Sequence, residues 1–218
     1  MARETFHEQL EELQKQLLHM GTMVEEAVER AVRSLSDQNI ALAQAVIDGD
    51  DAIDELELDI EQRCMTLFAL QQPMAADLRS IGTALKIVTD LERMADHAVD
   101  IAKVTKRLEG QPLIKPLIDI PRMAAIAGMM IHDALSSYVN RDTDLAYAMI
   151  ARDDEVDHLY SQIFRELLTY MLEDPRTTQQ ATYLILVGKY LERIADHATN
   201  LGEWVIYMVT GERQELND

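Results

Sequence analysis

The sequence predicts an all-α fold: two tandem, duplicated three-helix bundles, six long helices in total. Three observations carry this expectation. Apolar residues recur at steps of three and four, the period of a helix with one buried face, and no segment sustains the period of two that a half-buried strand requires. Good helix formers dominate; with only 8 Gly and 5 Pro in 218 residues, the breakers read as punctuation between helices. Finally, the chain repeats itself: LERMADHA (Leu91–Ala98) returns half a chain later as LERIADHA (Leu191–Ala198), differing only at Met94 and Ile194.

The first helix carries the stripe Leu10, Leu13, Leu17, Met20, Val24, Ala27, Ala31 and Leu35. A second is expected over residues 39–71, with Leu42, Val46, Ile53, Leu56, Ile60, Cys64 and Leu67 on its buried face and Gly49 as a bend within it. Gln72-Pro73 breaks the chain, because Pro disfavours helix at the residue before it. A third covers residues 74–109, with the stripe Leu78, Ile81, Leu85, Val88, Leu91, Ala95, Ala98 and Ala102. EGQPLIKPLIDIP, with Pro112, Pro116 and Pro121, reads as the connection between halves. Helices resume over 121–140, 143–172 and 177–210; Pro121 is tolerated in a first turn, Pro175 separates the last two, and Gly211 ends the last. The halves align further: DDAID (Asp50–Asp54) with DDEVD (Asp153–Asp157), and NIALA (Asn39–Ala43) with DTDLA (Asp142–Ala146). Residues 1–110 are thus the first repeat, 111–120 the linker and 121–218 the second. Three amphipathic helices with short turns bury their stripes best as an antiparallel bundle.

Composition narrows the function. A formal charge of −19 argues against nucleic acid, which needs a basic footprint, and against adsorption to anionic lipid. It suits cations, or a basic patch on a protein partner. The sole cysteine, Cys64, allows no intrachain disulfide and points to a reducing cytoplasm. The acidic amphipathic N-terminal segment is no leader peptide, and no apolar run is long enough to span a bilayer.

The repeated word carries chemistry on its flank. Glu92 and Asp96 lie one helical turn apart beside the stripe, as do Asp50 and Asp54 on the preceding helix. Glu192 and Asp196, with Asp153 and Asp157, repeat the arrangement. Like charges at this spacing repel, and a bound cation is one natural counter-charge. An oxygen-only set suits hard ions: iron first, then manganese, magnesium or calcium, with zinc as a further alternative. Any one acidic pair in so acidic a chain is more simply a solvated face. Four pairs in matched positions of diverged repeats favour metal binding. His97 and His197 point away from the stripe and read as contact or solvated residues. Glu155–His158 has the spacing of a di-iron ligand pair, but its counterpart in the first half is Ala52–Glu55. A di-iron-like helical enzyme or metal-storage protein is therefore the alternative reading. No phosphate loop, triad or zinc-finger spacing is present.

QQPMAADLRSIGTALKIVTDLERMADHAVDIA (Gln71–Ala102) resembles the signature region of the PhoU family, accessory regulators of phosphate transport. The similarity extends from LQKQLLHMGTMVEEAVERAVRSL near the N-terminus to YLERIADHATNLGEWVIYMVTGE near the C-terminus. It implies two three-helix bundles and, as in some members, multinuclear metal clusters held by E/D-x-x-x-D motifs. Those motifs fall here on Asp50/Asp54 with Glu92/Asp96, and on Asp153/Asp157 with Glu192/Asp196. Asp100 is a further ligand of the first site, and its counterpart, Asn200, a weaker one. The resemblance further implies a cytoplasmic, non-enzymatic negative regulator of phosphate uptake and of the starvation response. Its partners would be the phosphate ABC-transporter ATPase and the phosphate sensor histidine kinase, with membrane contact only through them. It is compatible with a homodimer, which long Ala- and Met-rich helices with an uncovered apolar face also suggest.

Overall fold

The computed structural model describes residues 2–70 and 75–216. Its elements are α1 (Ala2–Ser36), α2 (Ile40–Ile47), α3 (Asp51–Leu70), α4 (Ala75–Arg107), α5 (Asp119–Asn140), α6 (Thr143–Ile150), α7 (Asp153–Glu173) and α8 (Thr178–Thr210), with a 3₁₀ turn at Pro175–Thr177. No strand occurs among the described residues. The expected break at Gln72-Pro73 lies outside them.

The six expected helical stretches are present, but two are interrupted. The stretch over 39–71 is α2 followed by α3, and that over 143–172 is α6 followed by α7. At the first break the ladder tightens to bonds three residues back, Gly49 N–H to the Val46 carbonyl at 3.2 Å and Asp50 N–H to that of Ile47 at 3.4 Å. At the second, Arg152 N–H reaches the Met149 carbonyl at 2.9 Å. Gly49 is a helix weakener; Ala151 and Arg152 are not, so the second break carries no breaker residue. Each short helix starts in the same way. Gln38 (φ 49°) and Arg141 (φ 53°) take the left-handed conformation. The side chains of Asn39 and Asp142 then accept from the Leu42 and Leu145 amides, both at 3.0 Å. The duplication is therefore written into the backbone as well as into the sequence.

Helices α1, α4, α8 and α5 form a closed ring, each packed on the next. The α2–α3 arm lies on α1 and α4, and the α6–α7 arm on α5 and α8. The two three-helix bundles thus stand side by side and share one continuous core. Along the α4–α8 joint, Arg79 Nε donates to the Met208 carbonyl (3.2 Å), Thr83 Oγ1 to that of Trp204 (3.4 Å), Asp90 meets His197 (2.8 Å), and His97 stacks on Tyr190. Steps of four, seven and seven residues forward on α4 are matched by equal steps back on α8, so the helices run antiparallel in register. Swapping the halves exchanges the His97–Tyr190 and Asp90–His197 positions. A pseudo-two-fold axis therefore passes between the two copies of the repeated word, and residue by residue both copies have the same burial.

Leu78 departs from the expected stripe and is 45% exposed. At that end of α4 the buried face is Ser80, Thr83, Ala84 and Ile87, turned toward α8. Cys64 is buried as its stripe requires, which pushes its thiol up to about 12. Gly211 ends α8 in the left-handed conformation (φ 80°), its N–H on the Tyr207 carbonyl at 2.8 Å.

Two glycines give opposite expectations. A Cβ on Gly202 would come within 2.7 Å of Met149 Cε and 3.1 Å of Ile150, whereas one on Gly82 meets nothing within 4 Å. In urea denaturation Gly202→Val should cost about 1–3 kcal/mol by overpacking the α6–α8 contact. Gly82→Ala should gain up to about 1 kcal/mol from helix propensity.

Candidate metal centre

The acids of the first half converge where α3 meets α4. Asp50 precedes α3 at the helix break, and Asp54 lies in its first turn; Glu92 and Asp96 sit on the flank of α4. Burial pushes the Asp50 carboxyl up to about 6, helped by the charges of Asp54 and Asp96. Glu92 is raised by burial and by Asp96, Asp54 and Asp50, against the pull of Arg93. The helix pairing inferred from the repeated word is thus present: the two flanks face one another.

Two residues of this patch lay outside the sequence reading. Glu57 is pushed up to about 7, by burial first and then by Glu92, Glu61 and Asp54. Asp54, Glu57 and Glu61 recur at steps of three and four, a helical face legible in the sequence once the scan extends past the first acidic pair. Asp100 pairs with Lys103 at 3.3 Å, and its charge also acts on His97 and Tyr190 toward α8, while the charge of Lys103 acts on Asp50.

The second half repeats the core of the arrangement with fewer charges. Asp153 opens α7 and is buried; Asp157 follows one turn later. Burial raises the carboxyls of both Asp157 and Asp196, and Glu192 adds to each shift while Lys189 opposes it. Lys189 Nζ sits 2.5 Å from Glu192 Oε1 and 5.7 Å from the Tyr160 ring centre. Tyr160 and Phe164 occupy the positions equivalent to Glu57 and Glu61, so aromatics stand where the first half has acids.

The donor chemistry fits a hard cation, and one buried atom lacks a counterpart: Glu192 Oε2 has no hydrogen-bond partner. The arrangement as it stands does not close on an ion. Among the described residues no three His, Cys, Asp or Glu side chains are placed to hold a metal. Arg93 occupies the first patch instead, 3.4 Å from Glu92 and 3.3 Å from Asp96, as Lys189 occupies the second. The di-iron spacing is dispersed: Glu155 pairs with Arg122 at 2.5 Å, while His158 Nδ1 contacts its own helix at the Asp154 carbonyl.

His97 and His197 are not outward-facing. Helical side chains lean toward the N-terminus, so on antiparallel α4 and α8 the two imidazoles lean toward the pseudo-two-fold axis from opposite sides, with ring centres 5.9 Å apart. Burial and the proximity of His197 hold His97 below the usual histidine range.

A carboxyl raised in the folded state binds its proton more tightly there, so its stabilising contribution is complete below the unfolded value of about 4 and is lost as pH rises through the folded value. For Asp50 and Glu57 that window runs up to about 6 and about 7. Chemical denaturation without added metal should therefore give Asp50→Asn with Glu57→Gln the same stability as wild type near pH 4, and a higher one by about pH 8. Parallel curves across this range would show that burial and neighbouring charges do not raise the two carboxyls.

A model of the PhoU domain matches residues 17–105 and 120–205. The chain is 46% identical over 219 residues to a Clostridium acetobutylicum protein named phosphate-specific transport system accessory protein PhoU homolog, covering 100% of both. It is 47% identical to the Aquifex aeolicus protein of the same name, over 94% of this chain and 92% of that one. The crystal structure of PhoU from Pseudomonas aeruginosa superposes with a TM-score of 0.91 at 38% identity, covering 95% of this chain and 100% of that one. The phosphate transport system regulatory protein PhoU from Streptococcus pneumoniae gives 0.90 at 28% identity, over 97% and 100%.

Proposed function

The chain belongs to the PhoU family, and from that membership we propose that it is a cytoplasmic, non-enzymatic negative regulator of high-affinity phosphate transport and of phosphate-starvation signalling. It acts as an adaptor between the phosphate ABC-transporter ATPase and the phosphate sensor histidine kinase. The observation that carries this reading is the full-length match to relatives named as accessory proteins of phosphate-specific transport. The helical surface supports it: ring, arms and acidic flanks offer large faces for protein contact, and none of the described helices is long and apolar enough to cross a membrane. A homodimer belongs to the proposal.

Capture of the full chain from its own cells, in high and in low phosphate, should retain both the ATPase and the kinase, with a ratio that changes with phosphate. Capture of neither in either condition would overturn the adaptor role.

The metal sites are part of the same reading. A hard cation on each flank would be held by Asp50, Asp54, Glu92 and Asp96 in the first half, and by Asp153, Asp157, Glu192 and Asp196 in the second. Its charge would offset the burial and the neighbouring negative charges that raise Asp50, Glu92, Asp157 and Asp196, once Arg93 and Lys189 turn away. Ligation of the folded state alone adds roughly 3 kcal/mol at free metal about a hundredfold above the dissociation constant. Asp96→Asn with Asp196→Asn should lower bound iron or manganese and abolish the thermal shift, leaving the apo bundle folded. Unchanged metal content in that double variant would refute the assignment.

A further inference from the structure

A broad depression lies away from the acidic flanks, along the α1–α5 joint. It is a groove of about 830 Å³. Its floor is apolar or small: Val28 and Val32 from α1, Leu117 before α5, and Pro121, Ala124 and Gly128 from α5. Along α1 it extends from Thr22 to Ser36, about 21 Å at 1.5 Å per residue. That length accommodates about four turns of a helix, and the small residues on α5 admit a close approach.

One wall is acidic. Glu25, Glu26 and Glu29 line the groove from α1. Of the nearby cations, Arg33, which also lines the groove, pairs with Asp37 at 3.5 Å, Arg122 with Glu155 and Arg152 with Asp133 at 2.6 Å, while Arg30 lines a separate depression on the α2–α3 side of α1 together with Glu26. Among the described residues Glu26 and Glu29 enter no ion pair, and Glu25 has only the neutral-or-charged His132 at 3.7 Å. At the Gly128 end a shallower depression continues past exposed Met129 and His132.

The geometry points to this groove as the docking site for an amphipathic helix of a partner protein, with its apolar stripe on the Val28–Gly128 floor and lysines or arginines against Glu25, Glu26 and Glu29. Charge decides among occupants. A second copy seated by two-fold symmetry would set two such glutamate walls on one joint, within a chain of net charge −19. An anionic membrane surface would meet the same repulsion. A basic helix alone supplies both the apolar face and the missing counter-charge. The inference names the surface and chemistry of one contact within the adaptor reading and rests on that reading for its biological use.

The test uses the full chain and two labelled peptides of about four turns. Both carry leucines at i, i+3, i+4 and i+7; one is flanked by lysines and the other by glutamates. Fluorescence anisotropy should show the lysine peptide binding, weakening as salt rises, and the glutamate peptide failing to bind. Gly128→Trp should weaken the lysine peptide by about tenfold or more, because it fills the groove. A Cβ there meets nothing within 4 Å, so Gly128→Ala should fold and bind as wild type, and an unchanged far-UV circular dichroism spectrum and melting temperature should show that Gly128→Trp folds as well. Glu26→Gln with Glu29→Gln provides a second handle and should flatten the salt dependence. Equal binding of both peptides, or binding indifferent to Gly128→Trp and to the glutamine pair, would overturn the inference. So would a shift from dimer to monomer in sedimentation of Gly128→Trp, which would make the groove a self-interface. Retained capture of the ATPase and the kinase by a groove-blocked variant would sink the groove while leaving the adaptor role standing.

Discussion

Everything else in the molecule hangs on the antiparallel joint between α4 and α8. It is the contact through which the two repeats become one body, and it runs in register from Arg79–Met208 to His97–Tyr190. Ala95, Ala98 and Ala102 on one helix, with Ala195, Ala198 and Gly202 on the other, keep the buried faces beside this joint narrow. The polar groups brought in are largely paired: Thr83 and Arg79 donate to the Trp204 and Met208 carbonyls of α8, and Asp90 holds His197. Because the pseudo-two-fold axis passes between the two copies of Leu-Glu-Arg-x-Ala-Asp-His-Ala, the joint-facing residues of one copy pack near those of the other, as His97 does with His197. A change in one copy is felt on both sides of the axis. That supplies a packing reason for the two words to stay alike while the surrounding repeats diverge.

The same helices carry the acids on the side away from the joint. Asp96 faces α3 and His97, one residue on, faces α8, so fixing the seam also fixes the direction of the carboxylates. The two flanks have nonetheless drifted apart. The first gathers Glu57 and Glu61 around its four acids and tolerates the repulsion in raised carboxyls; the second replaces both with Tyr160 and Phe164 and brings Lys189 against Glu192. Whatever charge the flanks meet, the first half has the greater demand for a cation.

Much of this was legible in the residues, and the failures have physical causes. Period and repetition specified the six helical stretches, the acidic pairing and the end of α8 at Gly211. The interruption at Ala151–Arg152 was not legible, because it is set by the turn geometry shared with Gly49 rather than by any breaker residue. Leu78 was misplaced because a stripe drawn at fixed steps ignores which neighbour a long helix faces at each end; near Ser80 that neighbour is α8. His97 and His197 point away from the stripe yet meet across the joint for a related reason. A helical wheel knows one core, whereas α4 and α8 each have two: their own bundle and the other one.

This doubling of cores also explains where the surface is left open. In a ring of four helices every member has two neighbours inside the ring, and each arm covers one outer side. The α2–α3 arm covers α1 and α4, and the α6–α7 arm covers α5 and α8, so neither reaches across the α1–α5 joint. On the opposite joint the chain after Gly211 folds back, with Leu216 N–H on Glu203 at 2.6 Å and Arg213 over the Trp204 ring. The α1–α5 joint has no such cover. Duplication of a three-helix unit thus builds the core by symmetry, and on the joint that neither arm reaches it leaves an apolar channel edged by Glu26 and Glu29, which enter no ion pair among the described residues.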